Sequence, residues 1–444
     1  MSNALLHRAM LFTLGITSLI VTAPALFAQD AKPVPKYAIS VTADRTDALY
    51  KQGETVTFKI QLQQDGQPLS DAPVQWTITK DGVSLNQSGK LTLTNGIATV
   101  TSALKESGFL QCRASFTTNK TTVSGLGGAG IDPLQIKPSL PVPDDFDAFW
   151  AGKKKQLAAV SMNPRLTPVK SAAADVEAFD AQVDSVGAPV SAYFAKPMGA
   201  KPKSLPIILT VHGAGVRSSG LGGTVGWAKQ GFLAMDMNAH GIPNGKPDEF
   251  YKALAEGELK DYSRRAPESR ETIYFLGMFL RLVRAIDFLT AQPEWDGKIV
   301  IVHGTSQGGA QSIVAAGIDS RVTYFVPGVP AMCDHTGVAV NRVNGWPHFL
   351  PNGGGAKPDP KALEAVRYYD AMNFATRTRA GSYWTVGFID TTCAPTSVYA
   401  AYNNATGEKG IFNDVKSGHM NTPAAGTAMR EAILKYVASQ KKSK

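Results

Sequence analysis

The stretch Ile299-Val300-Ile301-Val302-His303-Gly304-Thr305-Ser306-Gln307-Gly308 decides the fold. Its apolar first half does not alternate with polar residues, which is typical of a parallel strand buried on both faces. Beyond the serine, Gly308-Gly309-Ala310-Gln311-Ser312-Ile313 looks like the small-residue start of a helix. A strand, a sharp turn and a helix in this order expose a serine, so we predict that Ser306 is a nucleophile. A glycine-rich turn with an idle serine is the structural alternative.

The chain around this motif alternates short apolar runs with helical patterns. Residues 207–211 and 232–235 predict two more buried strands. A helix before the motif has apolar residues at helical spacing and charged residues on its other faces, namely Ile273, Leu276, Leu280, Val283 and Ile286 against Arg281, Arg284 and Asp287. We therefore predict an α/β-hydrolase domain over residues 144–440, with a doubly wound, mostly parallel sheet.

Residues 37–122 have a different, period-two pattern. Val56, Phe58, Ile60 and Leu62 alternate with polar residues, and Asn95-Gly96 between two apolar runs indicates a hairpin. This predicts a small all-β, immunoglobulin-like sandwich without the two-cysteine bridge of antibody domains. The glycine-rich run 124–130 and the prolines up to Pro143 predict a linker over residues 123–143.

The first 28 residues have the pattern of a signal peptide. Arg8 precedes an uncharged apolar run that closes on Ala25-Leu26-Phe27-Ala28. We expect cleavage after Ala28 and a soluble mature protein, secreted or periplasmic; an uncleaved membrane anchor is the alternative.

Charge and cysteine content exclude several classes. The formal net charge is +9, but the basic residues are scattered, which favours a solvated basic surface over nucleic-acid binding. The three cysteines lie far apart without metal-ligand spacing, so we expect neither a disulfide framework nor a metal site.

A serine nucleophile needs a base and an orienting acid, which follow it in the order Ser, Asp, His in this fold. Of the downstream histidines, His419 lies in a loop before the last helix, whereas His335 and His348 lie in an irregular stretch and are expected to be lid or surface residues. Asp390 ends an apolar strand, where α/β active sites form. Its rival Asp414 is expected to be a solvated loop carboxylate.

The oxyanion of the intermediate needs amide donors, and we predict the backbone N–H groups of Ala214 and Gln307. Gln307 follows the nucleophile, and Ala214 lies in His212-Gly213-Ala214-Gly215 after the strand 207–211. His212 and His240 are candidates for the substrate pocket, although His240 could equally brace a loop.

At this point the chain resembles the acetyl xylan esterase and cephalosporin C deacetylase family over residues 140–440. The matching segments are Asp145-Phe146-Asp147-Ala148-Phe149-Trp150, His212-Gly213, Val283-Arg284-Ala285-Ile286-Asp287-Phe288-Leu289, Gly304-Thr305-Ser306-Gln307-Gly308-Gly309, Tyr369-Asp370 with Asn373-Phe374-Ala375, Asp390-Thr391-Thr392-Cys393-Ala394-Pro395 and Gly418-His419. The resemblance implies a Ser306, Asp390 and His419 triad. The chain departs from the family at Ala214, usually tyrosine, and at Met420, usually glutamate. The family's Arg-Gly-Gln motif after the next strand is replaced here by Asn238-Ala239-His240-Gly241-Ile242-Pro243-Asn244-Gly245.

These features predict an exported serine esterase that removes O-acetyl groups from oligo- or polysaccharides or small acetyl esters, without a metal or organic cofactor. The departures leave two alternatives, which are a carboxylesterase with another acyl preference and a non-catalytic carbohydrate-binding protein. Family members are often single-domain hexamers without a signal peptide, whereas this chain is predicted to be exported and to have an added β-sandwich. The resemblance therefore does not carry over an oligomeric state.

Overall fold

The structure is a computed structural model that describes residues 35–118, 120–351 and 357–442. The predicted signal peptide lies outside these residues. Within them, no helix is long and apolar enough to cross a membrane.

The described chain begins with nine strands that form two packed sheets. They are β1 (Tyr37–Ala43), β2 (Leu49–Tyr50), β3 (Val56–Gln64), β4 (Gln67–Pro68), β5 (Pro73–Lys80), β6 (Val83–Thr92), β7 (Ile97–Ser102), β8 (Gly108–Thr117) and β9 (Thr122–Ile131). One sheet joins β1, β3, β4 and β7, and the other has the order β2-β9-β8-β5-β6. Val56, Phe58, Ile60 and Leu62 of β3 are each 0% exposed, because alternate side chains point into the space between the sheets.

The linker prediction is wrong for residues 123–131. This glycine-rich run belongs to β9, which pairs antiparallel with β8 along its whole length. The glycines allow close packing: a Cβ at Gly127 would lie 2.8 Å from the carbonyl oxygen of Val41, and one at Gly128 would lie 2.4 Å from that of Phe388. The glycines therefore mark places where other backbone segments touch the strand.

The rest of the chain alternates strands and helices. Its strands are β10 (Arg165–Pro168), β11 (Val176–Val183), β12 (Val190–Pro197), β13 (Leu205–Val211), β14 (Leu233–Met237), β15 (Trp295–Thr305), β16 (Tyr324–Gly328), β17 (Gly381–Gly387) and β18 (Lys409–Asp414). Its α-helices are α1 (Phe146–Ala158), α2 (Leu221–Ala228), α3 (Asp248–Glu256), α4 (Phe275–Thr290), α5 (Gln307–Ile318), α6 (Pro360–Ala365), α7 (Ala371–Ala375), α8 (Pro395–Asn404) and α9 (Pro423–Lys442).

The large sheet has the order β10-β11-β12-β14-β13-β15-β16-β17-β18 and is parallel from β14 to β18. Ile207 and Ile208 of β13 belong to different buried clusters, so apolar side chains cover both faces of the sheet. This confirms the predicted fold class. The carboxyl ends of β13, β15, β17 and β18 lie at one edge, which is where this class forms its sites.

Helix α4 differs from the sequence prediction in one respect. Arg281 and Arg284, expected on its other faces, are each only 3% exposed. Arg284 donates from Nη2 to the carbonyl oxygens of Leu157 and Val160 at 2.6 and 2.8 Å, and Arg281 donates to that of Ala239 at 2.7 Å. Both arginines are buried because other segments cover them, namely the end of α1 over Arg284 and the loop after β14 over Arg281.

The two domains share a packed interface. Phe109 of β8 is 1% exposed, and its ring centroid lies 5.0 Å from that of Phe388 and 5.5 Å from that of Tyr399. Gln111 of the same strand donates from Nε2 to the carbonyl oxygen of Phe388 at 2.9 Å. The sandwich therefore contacts the segment that directly precedes Asp390.

We predict that Phe109→Ala destabilises the α/β domain through this interface. Truncating a buried phenylalanine costs about 3–5 kcal/mol of unfolding free energy. The urea concentration at which esterase activity is lost should therefore fall clearly. Phe116→Ala is the matched control, because Phe116 is also buried but pairs with Tyr37 inside the sandwich. An unchanged midpoint in Phe109→Ala would contradict this role.

Candidate active site

Ser306 occupies a strained turn between β15 and α5. Its φ is 59° and its ψ is −121°, a conformation that non-glycine residues rarely adopt. Its N–H donates to the carbonyl oxygen of Gly328 at 2.8 Å. A Cβ at Gly304 would lie 2.5 Å from the backbone of Gly308, and a Cβ at Gly308 would lie 2.2 Å from the carbonyl oxygen of Val211. Only glycine fits these two positions.

His419 lies between Ser306 and Asp390. Its Nε2 is 2.8 Å from Ser306 Oγ, and its Nδ1 is 2.8 Å from Asp390 Oδ2. With the proton on Nδ1, the serine hydroxyl donates to Nε2 and the imidazole donates to the carboxylate. The side chain of His419 is 25% exposed and that of Asp390 is 0% exposed. The imidazole is thus open on one side while the acid behind it is enclosed.

The second oxygen of Asp390 is held as well. Oδ1 accepts from the backbone N–H groups of Thr392 and Cys393 at 2.8 and 2.9 Å. The carboxylate therefore cannot rotate without losing these bonds, and this fixes the direction in which Oδ2 meets His419.

The alternative histidines and acid lie elsewhere. His335 is 0% exposed and packs edge-on against Phe349, so the expectation of a lid or surface residue is wrong for it. His348 is half-buried, with Nδ1 2.8 Å from the carbonyl oxygen of Asn344. Asp414 is half-buried and accepts from Thr422 Oγ1 at 2.5 Å, so it is not a freely solvated carboxylate. Asp414 is the last residue of β18, and the short connection that follows brings Thr422 within hydrogen-bond distance of its carboxylate.

The loop after β13 lies beside the nucleophile, since a Cβ at Gly213 would be 3.6 Å from Ser306 Cβ. Arg217 donates to the carbonyl oxygens of Gly213 and Ala214, both at 3.1 Å. His212 Nδ1 lies 2.7 Å from the same Gly213 oxygen, and its Nε2 accepts from the Ala239 N–H at 3.1 Å. In a trans peptide the N–H of Ala214 points opposite to the Gly213 carbonyl. These side chains therefore fix the direction of that amide.

His240 also braces this loop. It is 3% exposed, with Nδ1 2.7 Å from Tyr274 Oη and Nε2 3.3 Å from the carbonyl oxygen of Gly215. Burial lowers the pKa of His240 to about 3 and that of His212 to about 4, so both rings are neutral at pH 7. Because both nitrogens of each ring are engaged, the structure assigns these histidines to loop support rather than to polar substrate contacts.

Tyr262 joins the two halves of the predicted oxyanion site. Its hydroxyl donates to Gln307 Oε1 at 2.7 Å and accepts from the Gly215 N–H at 3.3 Å. The side chain is buried, and burial raises the pKa of Tyr262 to about 12, so it is a neutral donor at pH 7. It lies in a short 3-10 helix, Tyr262–Arg264, far from the motifs in sequence.

Asn421 ties the histidine loop to the strand that carries the serine. Its Nδ2 donates to Thr305 Oγ1 at 2.9 Å, and its Oδ1 accepts from Thr385 Oγ1 at 2.6 Å. Sequence reasoning missed Asn421, Tyr262 and Arg217. Asn421 could have been found by its position two residues after His419, whereas Tyr262 and Arg217 carry no local motif.

Metal ligands are a separate question. Among residues 35–118, 120–351 and 357–442, no group of three His, Cys, Asp or Glu side chains is arranged to hold a metal ion.

A mostly parallel sheet with a strained serine after β15 defines the chain as an α/β-hydrolase. Residues 133–439 match the model of the acetyl xylan esterase family. The chain belongs to this family, and it is therefore a serine carboxylic ester hydrolase. This confirms the resemblance described from the sequence motifs.

Individual relatives agree with this assignment. The chain is 33% identical over 381 residues to the acetyl esterase Axe7A of Xylanibacter ruminicola, and the match covers 82% of this chain and 83% of that protein. Two solved structures share the fold. The acetyl xylan esterase from Paenibacillus sp. R4 has a TM-score of 0.59 and 24% identity, covering 68% of this chain and 98% of its own. Acetyl xylan esterase 1 from Thermoanaerobacterium sp. JW/SL YS485 has a TM-score of 0.58 and 22% identity, covering 68% and 97%.

We predict that Tyr262→Phe lowers kcat about tenfold with little change in KM. The variant loses two hydrogen bonds, which is equivalent to about 1–2 kcal/mol of transition-state stabilisation if both hold the oxyanion donors in place. Steady-state kinetics with 4-nitrophenyl acetate measure the effect. Tyr251→Phe is the control, because Tyr251 is buried in the preceding segment and its hydroxyl bonds Lys246 and Pro243, away from the catalytic residues. The same kcat in both variants would refute the role of Tyr262.

Proposed function

We propose that this chain is an exported serine esterase that removes O-acetyl groups from carbohydrates through Ser306, His419 and Asp390. The observation that carries the proposal is the pair of 2.8 Å contacts that link Ser306 Oγ to His419 and His419 to Asp390. This geometry is what an otherwise weak hydroxyl nucleophile requires.

In the first half of the reaction, Ser306 Oγ attacks the acetyl carbonyl carbon while His419 Nε2 takes the hydroxyl proton. The carbonyl oxygen becomes an oxyanion that accepts from the N–H groups of Ala214 and Gln307. Asp390 stabilises the imidazolium through Nδ1. When the bond to the sugar oxygen breaks, His419 returns the proton to that oxygen, which leaves Ser306 acetylated.

In the second half, a water molecule loses a proton to His419 Nε2 and attacks the acetyl carbonyl. The second oxyanion uses the same amides. Collapse breaks the bond to Ser306 Oγ, which takes the proton from His419, and releases acetic acid, which loses its proton to solvent and becomes acetate.

Support for an acetylated carbohydrate as substrate comes from the family and from the name of the related acetyl esterase. The N-terminal sandwich adds surface next to the segment that carries Asp390, which is in keeping with a polymeric or oligomeric substrate. We propose O-acetylated oligo- or polysaccharides as the substrate class, with small acetyl esters as surrogates.

We predict that Ser306→Ala abolishes acetate release from acetylated glycans. Loss of a triad nucleophile lowers kcat by a factor of about 10⁴ or more. Acetate is measured enzymatically, and Ser312→Ala, which changes a buried serine six residues further along α5, is the control with near-normal activity.

Two results would contradict this proposal. A strong preference for 4-nitrophenyl octanoate over the acetate would indicate a carboxylesterase of another acyl class. A wild type that neither releases acetate nor reacts with a fluorophosphonate would favour the carbohydrate-binding alternative.

We also propose export through a cleaved signal peptide, on the basis of the apolar run that ends at Ala28. Expression of the full chain in a bacterial host should give a mature protein outside the cytoplasm. Mass spectrometry should find Gln29 at its N-terminus. Ala28→Arg should block processing, because the cleavage site needs a small residue there. A wild-type product that retains residues 1–28 would refute cleavage.

A further inference from the structure

A cavity of about 420 Å³ lies behind the loop that carries Ala214. Its lining includes Arg281 on α4, Tyr274 and His240 on one side, and Arg265 and Glu258 at its exposed rim. His240 separates this cavity from the oxyanion loop, because the same ring contacts Tyr274 and the carbonyl oxygen of Gly215.

Arg281 is a buried cation without a paired acid. It is 3% exposed, and Nη2 donates to the carbonyl oxygen of Ala239, whereas Nε has no hydrogen-bond partner in the part of the chain that the structure describes. It forms no ion pair with any carboxylate of the described residues. Burial lowers the pKa of Arg281 to about 10, which leaves it charged at pH 7. Buried charges are normally paired, so this guanidinium needs an explanation.

Helix α4 leaves the guanidinium open towards the cavity. Gly277 lies one turn before Arg281, and a Cβ there would be 3.3 Å from Nη1. Any larger residue at position 277 would therefore cover this side of Arg281. The glycine therefore leaves space for a ligand beside Nη1.

The charges around the cavity favour a ligand with a single negative charge. Arg281 and Arg265 against Glu258 leave one net positive charge, and burial keeps His240 neutral. Arg265 is held at the rim by bonds from Nη2 to the carbonyl oxygens of Glu258 and Lys260. Tyr274 donates its hydroxyl proton to His240, so this proton is not available to a ligand in the cavity.

We propose that this cavity is a binding site for a carboxylate, which pairs with the buried guanidinium of Arg281. A hydrogen bond from the charged Nη1 to a carboxylate oxygen is charge-assisted and therefore stronger than one between neutral groups. The volume admits a ligand as large as one sugar ring. Such a carboxylate belongs either to a uronic acid of the glycan substrate or to a free sugar acid, and the first source rests on the proposed function.

The site is coupled to the catalytic residues by direct contacts. The His240 ring lies edge-on to Tyr262 at 4.5 Å between centroids, and Tyr262 bonds Gln307 and Gly215. A carboxylate bound at Arg281 would therefore lie in the same cavity as His240, the first residue of this series of contacts.

Binding is tested with sodium glucuronate on the mature protein, by calorimetry and by thermal unfolding, against methyl glucoside and sodium chloride at equal ionic strength. Glucuronate should bind and raise Tm, and the two controls should not. Arg281→Met should weaken glucuronate binding about tenfold or more, since it removes a charge-assisted pair.

Arg284→Met is the matched control. Arg284 is equally buried on the same helix but bonds the carbonyl oxygens of Leu157 and Val160 and does not line the cavity. It should keep glucuronate binding. Gly277→Leu keeps the charge of Arg281 but fills the space beside it, so this variant should also lose glucuronate binding. It replaces Arg281→Met in the test if that variant does not fold. Glucuronate that fails to bind the wild type, that binds Arg281→Met equally well, or that binds more weakly than inorganic phosphate would overturn the carboxylate site.

Kinetics separate the two sources of the carboxylate. A substrate uronic acid should lower KM for acetylated oligosaccharides that carry it, and Arg281→Met should remove this difference. A free sugar acid should instead change the turnover of 4-nitrophenyl acetate. The calorimetric result is independent of catalysis and is repeated with Ser306→Ala, so loss of the esterase proposal and loss of this site are distinguishable.

Discussion

The backbone of Ser306, with φ 59° and ψ −121°, is the constraint on which the rest of the structure depends. A residue in such a conformation costs about 1–3 kcal/mol, so its surroundings must hold it. The bond from its N–H to Gly328 and the close packing at Gly304 and Gly308 do so. They require β13, β15 and β16 to lie side by side in parallel. The parallel sheet in turn brings the loops of Asp390 and His419 to the same edge.

Features that are local in sequence could be predicted. The buried run before Ser306, the two glycines around it and the alternation in β3 each reflect a physical requirement of one segment. The order of nucleophile, acid and histidine along the chain then limited the candidates, and Asp390 and His419 are the pair that the structure brings to Ser306. Their catalytic role is still a proposal.

Features that depend on distant segments could not be predicted in this way. The glycines of β9 resemble a linker until Val41 and Phe388 are seen against them. On a helical wheel Arg281 lies off the apolar stripe of α4, but the loop at Ala239 covers it. Tyr262 has no motif at all, because its role arises from where the 3-10 helix places a hydroxyl between Gly215 and Gln307.

The sandwich illustrates how far such long-range contacts reach into the site. Gln111 bonds the carbonyl oxygen of Phe388, and Thr396 donates to the carboxylate of Asp81. These two contacts hold the backbone on both sides of Asp390, at Phe388 before it and at Thr396 after it. Because the carboxylate is oriented by amides of the same segment, its alignment with His419 depends on where the sandwich holds the backbone. The N-terminal domain therefore covers one side of the loop that carries Asp390. Its removal would expose that loop and the rings of Phe388 and Tyr399, which pack against Phe109.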